Sequence, residues 1–136
     1  MEKHLSARIV EEIAAAGPMP FTRFMELALT DPADGYYTGP TVRAGKTGDF
    51  ITAPELHPLL GSAIARTASE AWQRIGTPTS FTWIEFGAGA GALLCAAVEQ
   101  WHRDHAPILS ALNVMIVEAN PYRREELQTR LRALPG

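Results

Sequence analysis

The sequence lacks most of the features that mark a secreted, membrane-spanning or nucleic-acid-binding protein. It has one cysteine among 136 residues, so no internal disulfide can form, as is usual in a reducing compartment. No apolar run reaches the roughly 18 residues of a membrane helix. The net charge of -3 disfavours nucleic acid or an anionic membrane as a dedicated partner. The first residues are acidic and lack the apolar core of a secretory signal, so we expect a cytoplasmic protein.

What remains is the composition of an ordinary globular domain, with 46% hydrophobic and 20% charged residues. Glycine and proline divide the chain into segments, and no internal repeat is present. Apolar residues at helical spacing predict two helices in the first 75 residues, and start and stop signals predict a third. These are residues 4–16, residues 22–29 with Thr22 as the N-cap, and residues 58–75.

Residues 31–54 form a long connection that contains four glycines. Long connections in compact domains are usually functional. Tyr36–Thr38 and Phe50–Thr52 have some strand character, and we expect them to pair across the glycines. Thr52 followed by Glu55 has the spacing of a helix capping box.

The second half of the chain alternates between strand and helix patterns. Phe81–Phe86 is rich in aromatic and β-branched residues and predicts a buried strand. A helix is predicted at 92–102, a second strand at 112–118, and a last helix after the N-cap Asn120. This alternation predicts two parallel strands of a Rossmann-like α/β sheet, connected by a crossover helix.

The turn between the first strand and its helix reads Glu85-Phe86-Gly87-Ala88-Gly89-Ala90-Gly91. Glycines leave backbone N–H groups open to a ligand, and the helix dipole favours negative groups there. A carboxylate at the end of the second strand can accept two hydrogen bonds from ribose hydroxyls. The pattern therefore predicts a site for a nucleoside-containing cofactor. The predicted contacts are Gly87, Ala88, Gly89, Gly91 and Glu118.

Two features of this turn favour S-adenosylmethionine over a dinucleotide. Glu85 stands where dinucleotide domains usually keep an apolar residue, and its carboxylate can orient the ammonium group of a methionine moiety. Gly91 completes a compact G-x-G-x-G turn. Two alternatives remain: the loose pattern formed by Gly87, Gly89 and Ala92 also suits an NAD(P)-dependent oxidoreductase, and the glycines could serve only to make a tight turn.

Three motifs upstream of the turn, taken together with it, resemble one known family. They are Phe21-x-x-Phe24-Met25, Asp34-Gly35-Tyr36-Tyr37 and Gly48-Asp49-Phe50-Ile51-Thr52-Ala53-Pro54-Glu55. The sequence resembles the MidA-like (DUF185) methyltransferases, which include the mitochondrial complex I assembly factor. The resemblance implies a class I methyltransferase fold with an added amino-terminal helical portion, and S-adenosylmethionine as cofactor. It also implies a protein substrate, with arginine methylation and respiratory complex I assembly as the context.

The resemblance further implies that residues 48–55 border the cofactor pocket, with Thr52 as a cofactor contact. If the methyl acceptor is an arginine nitrogen, carboxylates that hold the guanidinium group would help. Asp49 and Glu55 are the candidate catalytic residues. Each also has a plain structural interpretation, Asp49 as a turn residue and Glu55 as a helix cap.

A complete class I methyltransferase sheet has several more strands than the two predicted here. We therefore expect the amino-terminal portion of a longer protein, or a truncated gene product. It would have a helical region at 1–78 and the first βαβα part of the cofactor-binding domain at 79–136. A non-catalytic module that keeps the fold to bind a partner is a further alternative. We expect no metal site, because no cluster of carboxylates or thiolates accompanies His102 and His105.

Overall fold

The computed structural model describes residues 4–39, 45 and 48–134. The chain divides into two compact units, residues 1–43 and 44–136. None of the described helices is long and apolar enough to cross a bilayer. The elements in chain order are α1 (Leu5–Ala16), α2 (Phe21–Thr30), α3 (Ala53–Leu56), α4 (Leu59–Arg74), β1 (Phe81–Phe86), α5 (Ala92–Arg103), a short 3-10 helix (Pro107–Ala111), β2 (Leu112–Val117) and α6 (Pro121–Arg132).

The first unit contains the helix pair α1 and α2, and the helix predicted at 4–16 is confirmed. On its apolar stripe, Leu5 is buried and Ile9 half-buried, whereas Ile13 remains 41% exposed. The helix α2 begins at Phe21, so the prediction of Thr22 as its N-cap is wrong. Pro20 occupies that position, where a missing N–H costs little because the position has no intrahelical acceptor.

The segment after α2 forms turns, and the strand predicted at Tyr36–Thr38 is wrong. The N–H groups of Tyr36 and Tyr37 donate to Ala28 O and Leu29 O, both at 2.9 Å. These bonds satisfy carbonyl groups at the end of α2, which would otherwise have no partner in the helix. The predicted pairing of this segment with Phe50–Thr52 is therefore also wrong.

Gly35, in the second of the resemblance motifs, packs against the backbone of Asp31. A Cβ at Gly35 would lie 2.5 Å from Asp31 N and 2.6 Å from Asp31 O, so only glycine fits there. The buried carboxylate of Asp31 forms an ion pair with Arg8, whose Nη2 lies 2.7 Å from Asp31 Oδ2. This guanidinium holds the pKa of Asp31 below its ordinary value. The motif thus has a packing role within the first unit.

The second unit carries the sheet. Strands β1 and β2 run parallel, as predicted, and they pair from Phe81 opposite Leu112 to Phe86 opposite Val117. On one face, the paired residues Ile84 and Met115 are 52% and 54% exposed, and at the next pair on this face Phe86 is 76% exposed. An apolar face this exposed is typical of a partial sheet.

The other face of the sheet is covered by helices whose small residues allow close packing. A Cβ at Gly61 of α4 would lie 2.6 Å from Ala96 Cβ of α5, and Ala65 and Ala97 are fully buried. The large buried side chains of this core are Trp72, Leu94, Trp101 and Ile108.

The helix predicted at 58–75 is confirmed as α4, but it is preceded by the separate short helix α3. Thr52 and Glu55 form the predicted capping box: the Glu55 carboxylate accepts hydrogen bonds from Thr52 N–H and Thr52 Oγ1, each at 3.1 Å.

The second compact unit begins at residue 44, and it includes α4 because this helix packs on α5. The division into 1–78 and 79–136 stays a prediction about the organisation of the whole protein. Residues 40–44 and 46–47 of the glycine-rich connection lie outside the described part.

Candidate cofactor-binding site

The turn between β1 and α5 has an unusual backbone at its three glycines. Gly87, Gly89 and Gly91 have φ angles of 63°, 55° and 77°, which residues with side chains rarely adopt. At Gly87 and Gly89, a Cβ would have no atom within 4 Å. The backbone at these two residues therefore borders open space that a ligand can enter.

Gly91 has a different environment. A Cβ at Gly91 would lie 2.0 Å from Leu127 Cδ1, because the buried Leu127 of α6 packs directly on the turn. The absence of a side chain at Gly91 lets α6 approach the glycine turn. Its contact with the cofactor stays a prediction.

Three N–H groups of the turn are already used within the protein. Gly87 N–H donates to Val117 O at 2.7 Å, and Gly91 N–H donates to Ala88 O at 2.8 Å. Gly89 N–H donates to Glu118 Oε2 at 2.7 Å. Within the described residues, by contrast, the N–H groups of Ala88, Ala90 and Ala92 have no acceptor. These donors lie at the positive end of the α5 dipole, where they can bind ligand oxygens.

Glu118 lies at the carboxyl end of β2, beside the glycine turn as predicted. Its Oε2 accepts from Gly89 N–H, and its Oε1 accepts from Asn120 N–H at 2.8 Å. Because each carboxylate oxygen has two lone pairs, both can still accept from a ligand hydroxyl. Glu118 therefore joins the turn to the start of α6 and retains the capacity to bind a ribose.

Glu85 lies on the core side of β1, two residues before Gly87. Its Oε2 accepts a hydrogen bond from Trp83 Nε1 at 3.2 Å. Burial raises the pKa of Glu85 above its ordinary value, and the Trp83 hydrogen bond partly opposes this shift. A carboxylate that is destabilised by burial gains from a cationic partner, and the ammonium group of a methionine moiety is such a partner.

Replacement of Glu85 by glutamine is expected to stabilise the protein by about 1 kcal/mol at neutral pH, because it removes a poorly compensated buried charge. A raised folded-state pKa means that wild-type stability is lost as the pH rises through that pKa. The gain of Glu85→Gln should therefore shrink toward acidic pH. Thermal unfolding at several pH values measures it. The control is Glu70→Gln, at a side chain that is 66% exposed. An equal effect of both variants at neutral pH would contradict the assignment.

The predicted residues Asp49, Thr52 and Glu55 share one segment of the second unit. Asp49 and Thr52 lie toward the surface, and Glu55 serves as the cap of α3, which itself contacts α5. The capping role expected as the plain interpretation of Glu55 is therefore present. The cofactor contact of Thr52 and the catalytic roles of Asp49 and Glu55 stay predictions.

Two supporting residues were assigned only structural roles from the sequence. Trp83, predicted as part of the strand Phe81–Phe86, donates its indole N–H to Glu85. Asn120 was expected to cap α6, and its Oδ1 does accept from Tyr122 N–H at 2.9 Å, but its own N–H also binds Glu118. The i, i+2 spacing of Trp83 and Glu85 places both side chains on one face of the strand, and this spacing could have indicated the contact between them.

Taken together, the residues of the turn fit an adenosyl cofactor. Open space lies beside two glycines, unused N–H donors lie next to it, and one carboxylate is available for a ribose and another for an ammonium group. Among the described residues, no group of three or more His, Cys, Asp or Glu side chains could hold a metal ion.

Comparison with known proteins indicates the same cofactor. A family model for putative S-adenosyl-L-methionine-dependent methyltransferases matches residues 63–135. The chain is 35% identical over 89 residues to "Protein arginine methyltransferase NDUFAF7 homolog, mitochondrial" of Drosophila melanogaster. It is 34% identical over 86 residues to "Protein arginine methyltransferase NDUFAF7, mitochondrial" of Homo sapiens. These matches cover 65% and 63% of this chain but 20% and 19% of the two relatives.

Among solved structures, the chain resembles a COG1565 superfamily member from Burkholderia thailandensis that is bound to S-adenosyl-homocysteine. The TM-score is 0.80 at 33% identity, and the match covers 95% of this chain and 33% of that chain. This similarity confirms the Rossmann-like methyltransferase fold. The chain thus spans about a third of the structural neighbour and a fifth of the curated relatives.

The prediction of a cytoplasmic location is wrong on this comparison, because both curated relatives are mitochondrial proteins. The prediction rested on a single cysteine and an acidic amino terminus. A low cysteine content indicates reducing conditions, which are not confined to the cytoplasm.

The family match extends from α4 through α6 and so includes the glycine turn, Glu85 and Glu118. It also confirms the predicted cofactor, since S-adenosylmethionine is the cofactor of the matched family. The chain belongs to the MidA-like (DUF185) family of S-adenosyl-L-methionine-dependent methyltransferases.

Proposed function

We propose that this chain forms the methyl-donor side of a methyltransferase that acts on an arginine side chain of a protein, in the context of respiratory complex I assembly. The observation that carries the proposal is the glycine turn: two positions with open space beside the backbone, unused N–H donors, and Glu118 next to them. The arginine acceptor and the complex I context are supported by the names of the curated relatives.

S-adenosylmethionine supplies a methyl group on a positively charged sulfur, so transfer is a direct displacement that needs no protein nucleophile. The main task of the protein is to align donor and acceptor. On the donor side, Glu118 binds the ribose, Glu85 receives the ammonium group, and the N–H groups of Ala88 and Ala90 bind ligand oxygens.

On the acceptor side, an arginine nitrogen attacks the methyl carbon while the carbon–sulfur bond breaks, and the nitrogen then releases a proton. A nearby carboxylate lowers the energy of both steps, because it orients the guanidinium group and accepts charge-assisted hydrogen bonds. Asp49 and Glu55 are the candidates in this chain. The Oε2 atom of Glu55 is used in the cap of α3, so Oε1 is the oxygen left for a substrate.

Calorimetry on the protein expressed over its entire reading frame tests the donor site. We expect binding of S-adenosyl-homocysteine and no binding of NADH. Binding of NADH alone would overturn the proposal in favour of the oxidoreductase alternative.

Methylation of arginine-containing proteins, followed by mass spectrometry, tests the acceptor. Glu55→Gln keeps an oxygen that can cap α3 but removes the charge, and Asp49→Asn is the equivalent change at the second candidate. We expect loss of methylation in at least one variant, with S-adenosyl-homocysteine binding unchanged. Tight cofactor binding by the wild-type protein without methylation of any arginine would instead support a non-catalytic module.

A further inference from the structure

The side chain that contacts the Glu85 carboxylate is Trp83, two residues earlier on the same face of β1. Its indole N–H donates to Glu85 Oε2 at 3.2 Å. The bond fixes one of the two carboxylate oxygens and leaves Oε1 for another partner. A carboxylate held in this way loses less freedom when a ligand binds.

Trp83 is itself held by the core. Its ring meets that of Trp101 edge-to-face, with centroids 5.7 Å apart and planes at 89°. Trp101 is 1% exposed, and its own indole N–H donates to Ala65 O and to Ser69 Oγ, both at 2.9 Å. A chain of contacts therefore runs from α4 through the two tryptophans to Glu85. Ring pairs of this geometry stabilise the folded protein by more than the burial of their surface area alone.

We propose that Trp83 is a positioning residue, which holds the Glu85 carboxylate in the orientation that receives the ammonium group of the cofactor. This inference rests on the proposed function, because it assigns a support to the donor site. It goes beyond that function because it assigns to a core tryptophan a role in selecting the amino-acid end of the ligand.

Two ligands separate this role from a general structural one. S-adenosyl-homocysteine carries the ammonium group, whereas methylthioadenosine has the same adenosine and thioether but no amino-acid moiety. Trp83→Phe keeps an aromatic ring and removes the N–H donor. We expect this variant to bind S-adenosyl-homocysteine about ten-fold more weakly, because it loses the charge-assisted hydrogen bond from Trp83 that orients the Glu85 carboxylate. We expect it to bind methylthioadenosine as the wild type does.

The matched control is Trp101→Phe, which also removes one indole N–H from the same ring pair but keeps an aromatic ring against Trp83 and leaves the Trp83–Glu85 hydrogen bond in place. It should change the affinities for both ligands by the same factor. In a Glu85→Gln background, Trp83→Phe should have little further effect on either ligand, because the charge that Trp83 supports is gone.

The experiment is calorimetry with both ligands on the protein expressed over its entire reading frame. Equal weakening of both ligands by Trp83→Phe, or no weakening, overturns the inference. Failure of the wild type to bind either ligand overturns the proposed function instead. Should Trp83→Phe not fold, the indole ¹⁵N–¹H signal of wild-type Trp83 decides: a shift with S-adenosyl-homocysteine but not with methylthioadenosine supports the inference, and the same response to both ligands refutes it.

Discussion

Replacement of Gly91 by alanine is expected to lower the free energy of unfolding by about 2–5 kcal/mol, through two effects at one residue. A side chain in the left-handed region costs roughly 1–2 kcal/mol. The new Cβ would also lie 2.0 Å from Leu127 Cδ1, and Leu127 is 3% exposed and has little room to move. Overpacking of this kind costs roughly 1–3 kcal/mol. Urea denaturation of wild type and variant measures the difference.

Two further variants separate the backbone effect from the steric one. Gly76 has a similar φ of 87°, but a Cβ there would meet no atom within 4 Å, so Gly76→Ala carries the backbone cost alone. Leu127→Ala removes the clashing atoms, so Gly91→Ala should cost much less in that background than in the wild type. Equal costs for Gly76→Ala and Gly91→Ala would show that Leu127 does not constrain the turn.

The strands and most helices could be predicted because their signals are local. Phe81–Phe86 has the same bounds in sequence and structure, since its aromatic and β-branched residues are bounded by a glycine turn. The N-cap of α6 was also predictable, because Asn120 followed by proline has a specific local geometry. Such elements need no knowledge of distant contacts.

The connection between α2 and α3 could not be predicted in the same way. The aromatic pair Tyr36-Tyr37 resembled a strand, but its N–H groups close the end of α2 instead. Strand propensity describes side chains that fit a sheet surface, and it does not reveal which carbonyl groups lack a partner nearby. The N-cap of α2 was also missed. Threonine is a preferred N-cap residue, so Thr22 was chosen, whereas Pro20, which has no side-chain oxygen, occupies that position.

Within the site, the sequence predicted which residues come together but not how they are already bonded. The glycine turn and Glu118 do meet at one edge of the sheet, as parallel strands require. The turn was expected to present open backbone N–H groups, yet Gly89 N–H is bonded to Glu118. That bond depends on a side-chain rotamer and on the loop after β2, neither of which a motif specifies.

Through this bond Glu118 has a structural role in addition to its proposed contact with the ribose, and one substitution removes both. In the structure it joins Gly89 to Asn120, and so links the glycine turn to the residue that precedes α6. Since α6 also packs on Gly91 through Leu127, the turn is held from both ends. A donor site whose shape is set before the ligand arrives loses less entropy on binding.

Glu118→Ala is therefore expected to weaken S-adenosyl-homocysteine binding by about 100-fold or more. The variant loses the two hydrogen bonds that the ribose hydroxyls donate to the charged carboxylate, each worth roughly 1.5–3 kcal/mol. Calorimetry measures the loss. A ligand pair identifies its cause: methylthioadenosine and its 2′-deoxy counterpart differ in one ribose hydroxyl. The wild type should prefer the hydroxylated ligand, and Glu118→Ala should bind both equally. A variant that binds more weakly but keeps the preference would show that Glu118 acts only through the glycine turn and does not contact the ribose.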